Sequence, residues 1–247
     1  MSKKSWGILS PVLIVGLALA TSTAIASPIV FSGTDPGAND TDPRPNSNAT
    51  AASFDAAASG LGTLNIITFE SSPVGAFTNL EVAPGVFLSG TAYTGVNEQL
   101  ILNAPYGDPD SLFGYNTTSG GANFAFINGG FLTFTFSTPT SAFGAYITGL
   151  QLNGETIDFN DGTAQSITIP NVGSGAEFVG FTDAGASISS VTINTTSTDY
   201  PSGDYVGVDD VRYVSGASSS TVPEPGSLIL MASGLAALAL LRRRVGV

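Results

Sequence analysis

An all-β, two-sheet antiparallel sandwich of the jelly-roll kind, preceded by one short helix, is the fold this sequence predicts. Three observations predict it. From Leu64 onward, short segments rich in Ile, Val, Phe and Thr alternate with Gly, Pro, Asn and Asp, the texture of strands and turns. Roughly ten such segments fit into about 160 residues, the density of a sandwich. Beyond the first of them there is no helical periodicity, and no fixed-period repeat points to a propeller or solenoid.

Ser27 to Asn48 is rich in Pro, Asp, Asn, Ser and Gly and reads as a disordered leader over 27–49. Ala51 to Leu61 is alanine-rich and puts Phe54, Ala57, Ala58 and Leu61 on one helical face, with Thr50 or Ser53 as the cap. The sandwich is then expected to span 50–215. Its clearest strand is Phe131 to Phe136, where Leu132, Phe134 and Phe136 share one face. Thr138-Pro139-Thr140 is expected to turn that strand into a hairpin with Ala142 to Ile147. Asp161-Gly162 between Thr156–Phe159 and Ser166–Ile169 predicts a second hairpin, because Asp-Gly supplies the positive φ of a primed turn. Further strands are expected at 66–70, 86–88, 123–127, 177–181, 189–193, 205–208 and 211–214.

The two ends have a different character. Lys3 and Lys4 precede the apolar run Ile8 to Ala20, and Ala24-Ile25-Ala26 precedes Ser27, the pattern of a secretory signal peptide over 1–26, cleaved between Ala26 and Ser27. After a linker over 216–222, Val222-Pro223-Glu224-Pro225 leads into the uncharged run Ser227 to Leu241 and then Arg242-Arg243-Arg244. As a helix that run would rise about 22 Å, short for a bilayer core of about 30 Å. The three arginines after it would hold the C-terminus on the cytoplasmic side, leaving everything before Pro223 outside. The segment 223–247 resembles the C-terminal signal of PEP-CTERM proteins. That resemblance implies an exosortase-type processing enzyme as partner, a membrane-anchored stage through the C-terminal helix, and a destination at the cell surface or extracellular matrix.

Composition removes whole classes of chemistry. The chain of 247 residues has no His and no Cys, and its Lys residues are only Lys3 and Lys4. Ser-His-Asp and Cys-His nucleophile systems, Schiff-base lysines and ordinary zinc sites are therefore excluded from the body. Between 27 and 221 lie two basic residues, Arg44 and Arg212, against eighteen acidic ones, a net charge of −16. Such a surface repels phosphate backbones, so nucleic-acid binding is not expected.

The body also shows Phe69-Glu70, Ala142-Phe143-Gly144, Phe178-Val179-Gly180-Phe181 and Val208-Asp209-Asp210-Val211-Arg212-Tyr213. This pattern is similar to bodies carried by many PEP-CTERM proteins and looks like the jelly-roll sandwich of carbohydrate-binding and lectin-like modules. The resemblance implies a structural calcium ion clamped by Glu70 and Asp209, with Asp210 as neighbour. Strict alternation along 205–214 would put Val206, Val208 and Asp210 on one face and Asp209, Val211 and Tyr213 on the other, with one aspartate towards apolar neighbours. A buried carboxylate needs an answer there, either a cation or N–H donors including Arg212. Asp108-Pro109-Asp110 reads as a turn. Tyr93, Tyr106 and Tyr115, with Phe113, could form a platform for sugar rings or could be core and rim residues.

The function these features favour is a non-catalytic, exported, envelope-anchored protein that binds or organises extracellular polysaccharide. A surface adhesin or ice-binding protein is the alternative. A two-carboxylate carbohydrate-active enzyme, drawing on Glu70, Glu98, Glu155 or Glu177, is the third reading, though no spacing selects a pair.

Overall fold

The computed structural model describes residues 27–96, 98–107, 113–171, 173–196, 200 and 202–216. The signal segment, the sorting segment with its apolar run and arginines, and Asp108-Pro109-Asp110 lie outside the described residues. The described elements are β1 (Ile29–Asp35), α1 (Pro45–Ala58), β2 (Thr63–Ile67), β3 (Gly75–Phe77), β4 (Leu80–Ala83), β5 (Val86–Thr91), β6 (Gln99–Leu102) and β7 (Phe124–Asn128). They continue with β8 (Phe131–Thr140), β9 (Ala142–Thr148), β10 (Thr156–Asn160), β11 (Ala164–Thr168), β12 (Ala176–Thr182), β13 (Ile188–Asn194) and β14 (Tyr205–Ser215).

Two antiparallel sheets stack face to face, as expected. One has the order β1-β12-β9-β14-β7-β6-β3, with β2 also paired to β14; the other runs β11-β10-β13-β8-β5-β4. The inward residues of both are large and apolar because alternation sends every second side chain into the space between them. Phe134 of one sheet meets Phe143 of the other with ring centroids 5.3 Å apart, and Phe159 stacks on Phe181 at 3.8 Å. All four are buried.

The leader is ordered, contrary to the sequence reading. Residues 29–35 form β1, which pairs with β12 along its whole length from Ile29↔Thr182 to Asp35↔Ala176. The helix starts at Pro45. Proline is favoured in a first turn, where its missing N–H costs nothing. The cap comes from a distant residue: Asp35 at the end of β1 accepts the backbone N–H of Asn46 at 3.0 Å and of Ser47 at 2.8 Å. Thr50 and Ser53 lie inside the helix, and Ser53 bonds back to the Ala49 carbonyl. Phe54 anchors α1 to the outside of the first sheet, against Phe31 and Phe178.

The expected hairpin at Thr138-Pro139-Thr140 is instead a crossover. β8 pairs with β5 and β13 in one sheet, while β9 pairs with β12 and β14 in the other. Thr140 fixes the corner: its hydroxyl donates to the Ala142 carbonyl at 2.7 Å and accepts the Val214 N–H at 3.1 Å. The second hairpin forms, with Asn160↔Ala164 closing on the three residues Asp161-Gly162-Thr163 instead of a two-residue primed turn, and with Gly162 at φ 114°.

Segments 205–208 and 211–214 are one strand, β14, broken in phase by a bulge. Its pairing with β9 shifts between Asp209 and Arg212, and Asp210 has φ 44°. The bulge overrides strict alternation, so Val206, Val208, Val211 and Tyr213 all join the inter-sheet core. Asp209 then falls on the outer face of the sheet.

Candidate functional site

Outside the first sheet, α1 packs on one part and residues 103–107 and 113–123 lie along another. Gly207 of β14 permits this close approach, since a Cβ there would lie 2.9 Å from the Tyr115 nitrogen and 2.6 Å from the Thr148 hydroxyl. Thr148 Oγ1 accepts the Tyr115 N–H at 2.9 Å and donates to the Tyr115 carbonyl at 3.0 Å.

Glu70, Asp209 and Asp210 all reach this segment. Asp209 Oδ2 accepts the backbone N–H of Thr117 at 2.7 Å and of Thr118 at 3.0 Å, with both threonine hydroxyls beside them. Asp210 Oδ1 accepts the Thr118 hydroxyl at 2.8 Å. At the other end, Glu70 Oε1 takes the Asn116 amide at 2.9 Å and the backbone N–H of Ala122 and Asn123 at 3.0 and 3.1 Å. Three carboxylates therefore grip one loop, 116–123, from both ends.

This donor set does not fit calcium. The ion needs six to eight oxygen ligands, whereas Glu70 Oε1 and Asp209 Oδ2 already face three or more hydrogens each. Asp209 Oδ1 is the one buried oxygen of the three carboxylates without a partner. Among the described residues no three acidic side chains converge on a metal position. Burial, aided by the Asp210 charge, pushes Asp209 up to about 7 despite its N–H donors. Arg212 serves elsewhere: its Nε donates to Asp55 Oδ1 at 2.8 Å, tying β14 to α1, and its guanidinium lies over the Tyr146 and Phe178 rings.

Beside the gripped loop is a polar recess of about 440 Å3, lined among others by Asp40, Asp42, Arg44, Asn103, Asn116 and Thr118. Arg44 is part of its lining, donating to the Thr117 carbonyl at 3.2 Å with its guanidinium over the Tyr115 ring.

Asn103 and Pro105 of that recess lead into an aromatic cluster. Tyr205, at the start of β14, is its centre: Tyr93, Tyr106, Phe113 and Phe126 lie with ring centroids 5.7 to 6.3 Å from it. Phe126 is parallel to Tyr205 within 9°, and Tyr106 tilts over Phe126 at 4.5 Å. Tyr93 and Tyr106 are exposed, at 48% and 45%. The structure thus assembles Tyr93, Tyr106 and Phe113, which the sequence singled out, and adds Tyr205 and Phe126. Both follow from strand parity, since Phe126 and Tyr205 face away from inward Ile127 and Val206. Tyr115 is not in the cluster; it is fully buried, with its hydroxyl donating to the Ala38 carbonyl at 2.6 Å.

Three of the four acids considered for catalysis are enclosed or engaged by the protein itself. Glu155 and Glu177 are sealed inside at 0% exposure, and Glu70 is held by the loop.

Comparison with known proteins places the tail. A family model described as the PEP-CTERM protein-sorting motif matches residues 221–244. The chain carries that motif, which implies export, processing by an exosortase at the membrane, and anchoring through the C-terminus before cleavage. No curated protein sequence matches at a significant level. Among solved structures, the chain is loosely similar to the catalytic domain of a GH87 alpha-1,3-glucanase in complex with nigerose, with a TM-score of 0.34 and 15% identity. A D1069A form in complex with tetrasaccharides gives a TM-score of 0.34 and 14% identity. Each match covers 66% of this chain and 30% of the other. The overlap is too loose to speak to activity, and the chain spans less than a third of those chains.

Proposed function

We propose that this exported, exosortase-sorted sandwich is a non-catalytic surface protein that binds extracellular polysaccharide on its aromatic cluster. The observation that carries this reading is the arrangement of Tyr93 and Tyr106, both exposed and both against Tyr205, with Phe126 behind Tyr106 and Tyr205. The faces of aromatic rings carry negative potential and attract the C–H faces of pyranose rings, while phenol hydroxyls meet the sugar's own. Asn103, Asn116, Thr118 and Asp42 of the neighbouring recess supply polar groups of the kind that orient a hydroxyl-rich ligand. The non-catalytic part rests on the acids: a two-carboxylate glycosidase needs two carboxyls about 5 to 10 Å apart with a sugar between them. The sealed Glu155 and Glu177 are out of a sugar's reach.

Near-ultraviolet absorption offers a test. The single tryptophan, Trp6, precedes the expected cleavage point, so the signal of the exported chain belongs to tyrosine. Adding fragments of the producing cell's own extracellular polysaccharide is expected to give a saturable tyrosine difference spectrum that Tyr106→Ala removes. An unchanged spectrum at saturating fragment would refute binding at this face.

A further inference from the structure

Glu155, one residue before β10, is fully buried, and neither carboxyl oxygen has a hydrogen-bond donor. Its side chain makes a hydrogen-bonding contact with that of Asp204, one residue before β14 and 4% exposed, whose situation is the reverse. Asp204 Oδ2 accepts the backbone N–H groups of Gln151 and Leu152, and Oδ1 accepts that of Tyr205 at 2.9 Å. The only other described charged or titratable group felt by Glu155 is Glu177 on β12, whose Oε1 takes the Ser32 hydroxyl of β1 at 3.3 Å and whose Oε2 has no partner.

No side chain of the body can neutralise this cluster. Arg44 and Arg212 are its only cations, and both are committed elsewhere, Arg44 to the Thr117 carbonyl and Arg212 to Asp55. A charge left on Glu155 would be uncompensated in a low-dielectric interior, which costs far more than a neutral acid. A proton held by one of the two acids removes that charge without any further group. The donors decide where it sits: Asp204, with three N–H groups aimed at it, is the ionised acceptor, and Glu155, with none, is the acid.

We propose that Glu155 and Asp204 share one proton, Glu155 donating its O–H to Asp204, and that this pair is a pH-sensitive latch beneath the aromatic face. Asp204 is well placed for the role. Its side chain holds the Gln151–Leu152 segment, its carbonyl accepts the Gly129 N–H at 3.0 Å, and its own N–H donates to the Thr195 carbonyl at 3.0 Å. The next residue is Tyr205, the centre of the cluster. Removing the proton puts two like charges side by side in the interior, and the segments they join must separate or admit water. The proton-sharing pair stands independently of polysaccharide binding; its effect on binding rests on the function proposed above.

The direction follows from linkage. Burial, with the neighbouring Asp204 and Glu177, pushes Glu155 from an ordinary 4.5 up to about 9. Between those values the folded chain holds a proton that the unfolded chain has lost, so stability falls as pH rises through the window.

The test uses the full chain purified in detergent. Tm is measured from about pH 5 to about pH 9 for the wild type and Glu155→Gln, whose amide donates to Asp204 at every pH. The wild type is expected to lose several degrees across this range and E155Q to lose about half as much, the remainder coming from other buried acids. Parallel curves would overturn the proposal. Should E155Q fail to fold, residue-assigned carboxyl-carbon NMR of the wild type decides: Glu155 titrating in the ordinary range overturns it, and Glu155 titrating far above while Asp204 stays ionised supports it. Co-sedimentation with the polysaccharide over the same pH series separates the two claims. A flattened Tm profile without co-sedimentation keeps the latch and removes the glycan site, whereas co-sedimentation with parallel Tm curves does the opposite.

Discussion

Asp209 shows how one side chain can hold a whole loop in place. One of its oxygens accepts two backbone N–H groups and two hydroxyls of Thr117 and Thr118, and the other is buried with no donor. Asp209→Ala would leave those donors unanswered. At about 1–3 kcal/mol for each buried group left unsatisfied, we expect a loss of roughly 3 kcal/mol in denaturant unfolding, and a smaller one for Asp209→Asn, which keeps an acceptor. Calcium or a chelator should leave the midpoint unchanged, because Glu70 Oε1 and Asp209 Oδ2 are already taken by N–H and O–H donors. A rise in Tm on adding calcium would show an oxygen shell that this donor set lacks.

Among the elements, the N-terminal strand and helix form one unit. β1 pairs with β12, and Asp35 at its end caps α1, so strand and helix stabilise each other. Asp35→Ala removes the cap and is expected to cost about 1–2 kcal/mol, read as a lower denaturant midpoint with unchanged slope. This unit was illegible in the sequence because polar, Pro-rich composition describes a solvent-exposed edge strand and a turn as well as it describes a leader. The cap was hidden too, since its oxygen is supplied from eleven residues before Asn46. The central strands were legible, because Leu132, Phe134 and Phe136 alternate without interruption. The crossover after β8 was not, since Thr138-Pro139-Thr140 turns a chain equally well within a sheet or between two. Nor was the bulge at Asp210 legible, because an inserted residue leaves no mark on local composition while reversing the face of everything after it. For the site, Tyr93, Tyr106 and Phe113 were within reach because they cluster in one segment. Tyr205 and Phe126 come from distant strands and meet only through the β7–β14 pairing.

At the scale of the whole molecule, the chain is an acidic sandwich whose interior also stores acid. Burial pushes Glu155 and Glu177 up to about 9, Asp209 to about 7 and Asp183 to about 6, the last with the Asp161 charge beside it. Each is raised, so each binds a proton in the folded state that the unfolded chain releases near pH 4. The contributions have one sign, and we expect the fold to be most stable in mild acid and to weaken steadily towards pH 9. Thermal unfolding at fixed ionic strength checks this; a flat profile or an alkaline optimum would mean that these carboxyls are hydrated or cation-bound. The PEP-CTERM motif at the other end of the chain sends this body to the envelope, where the aromatic face would meet the matrix. Co-sedimentation of the full chain with the producing cell's extracellular polysaccharide, comparing the wild type with Tyr106→Ala and Tyr205→Ala, tests that encounter most directly. We expect the wild type to sediment with the polysaccharide and each substitution to weaken association about tenfold, the equivalent of about 1.4 kcal/mol. Equal sedimentation of all three proteins, or of none, would contradict binding at this face.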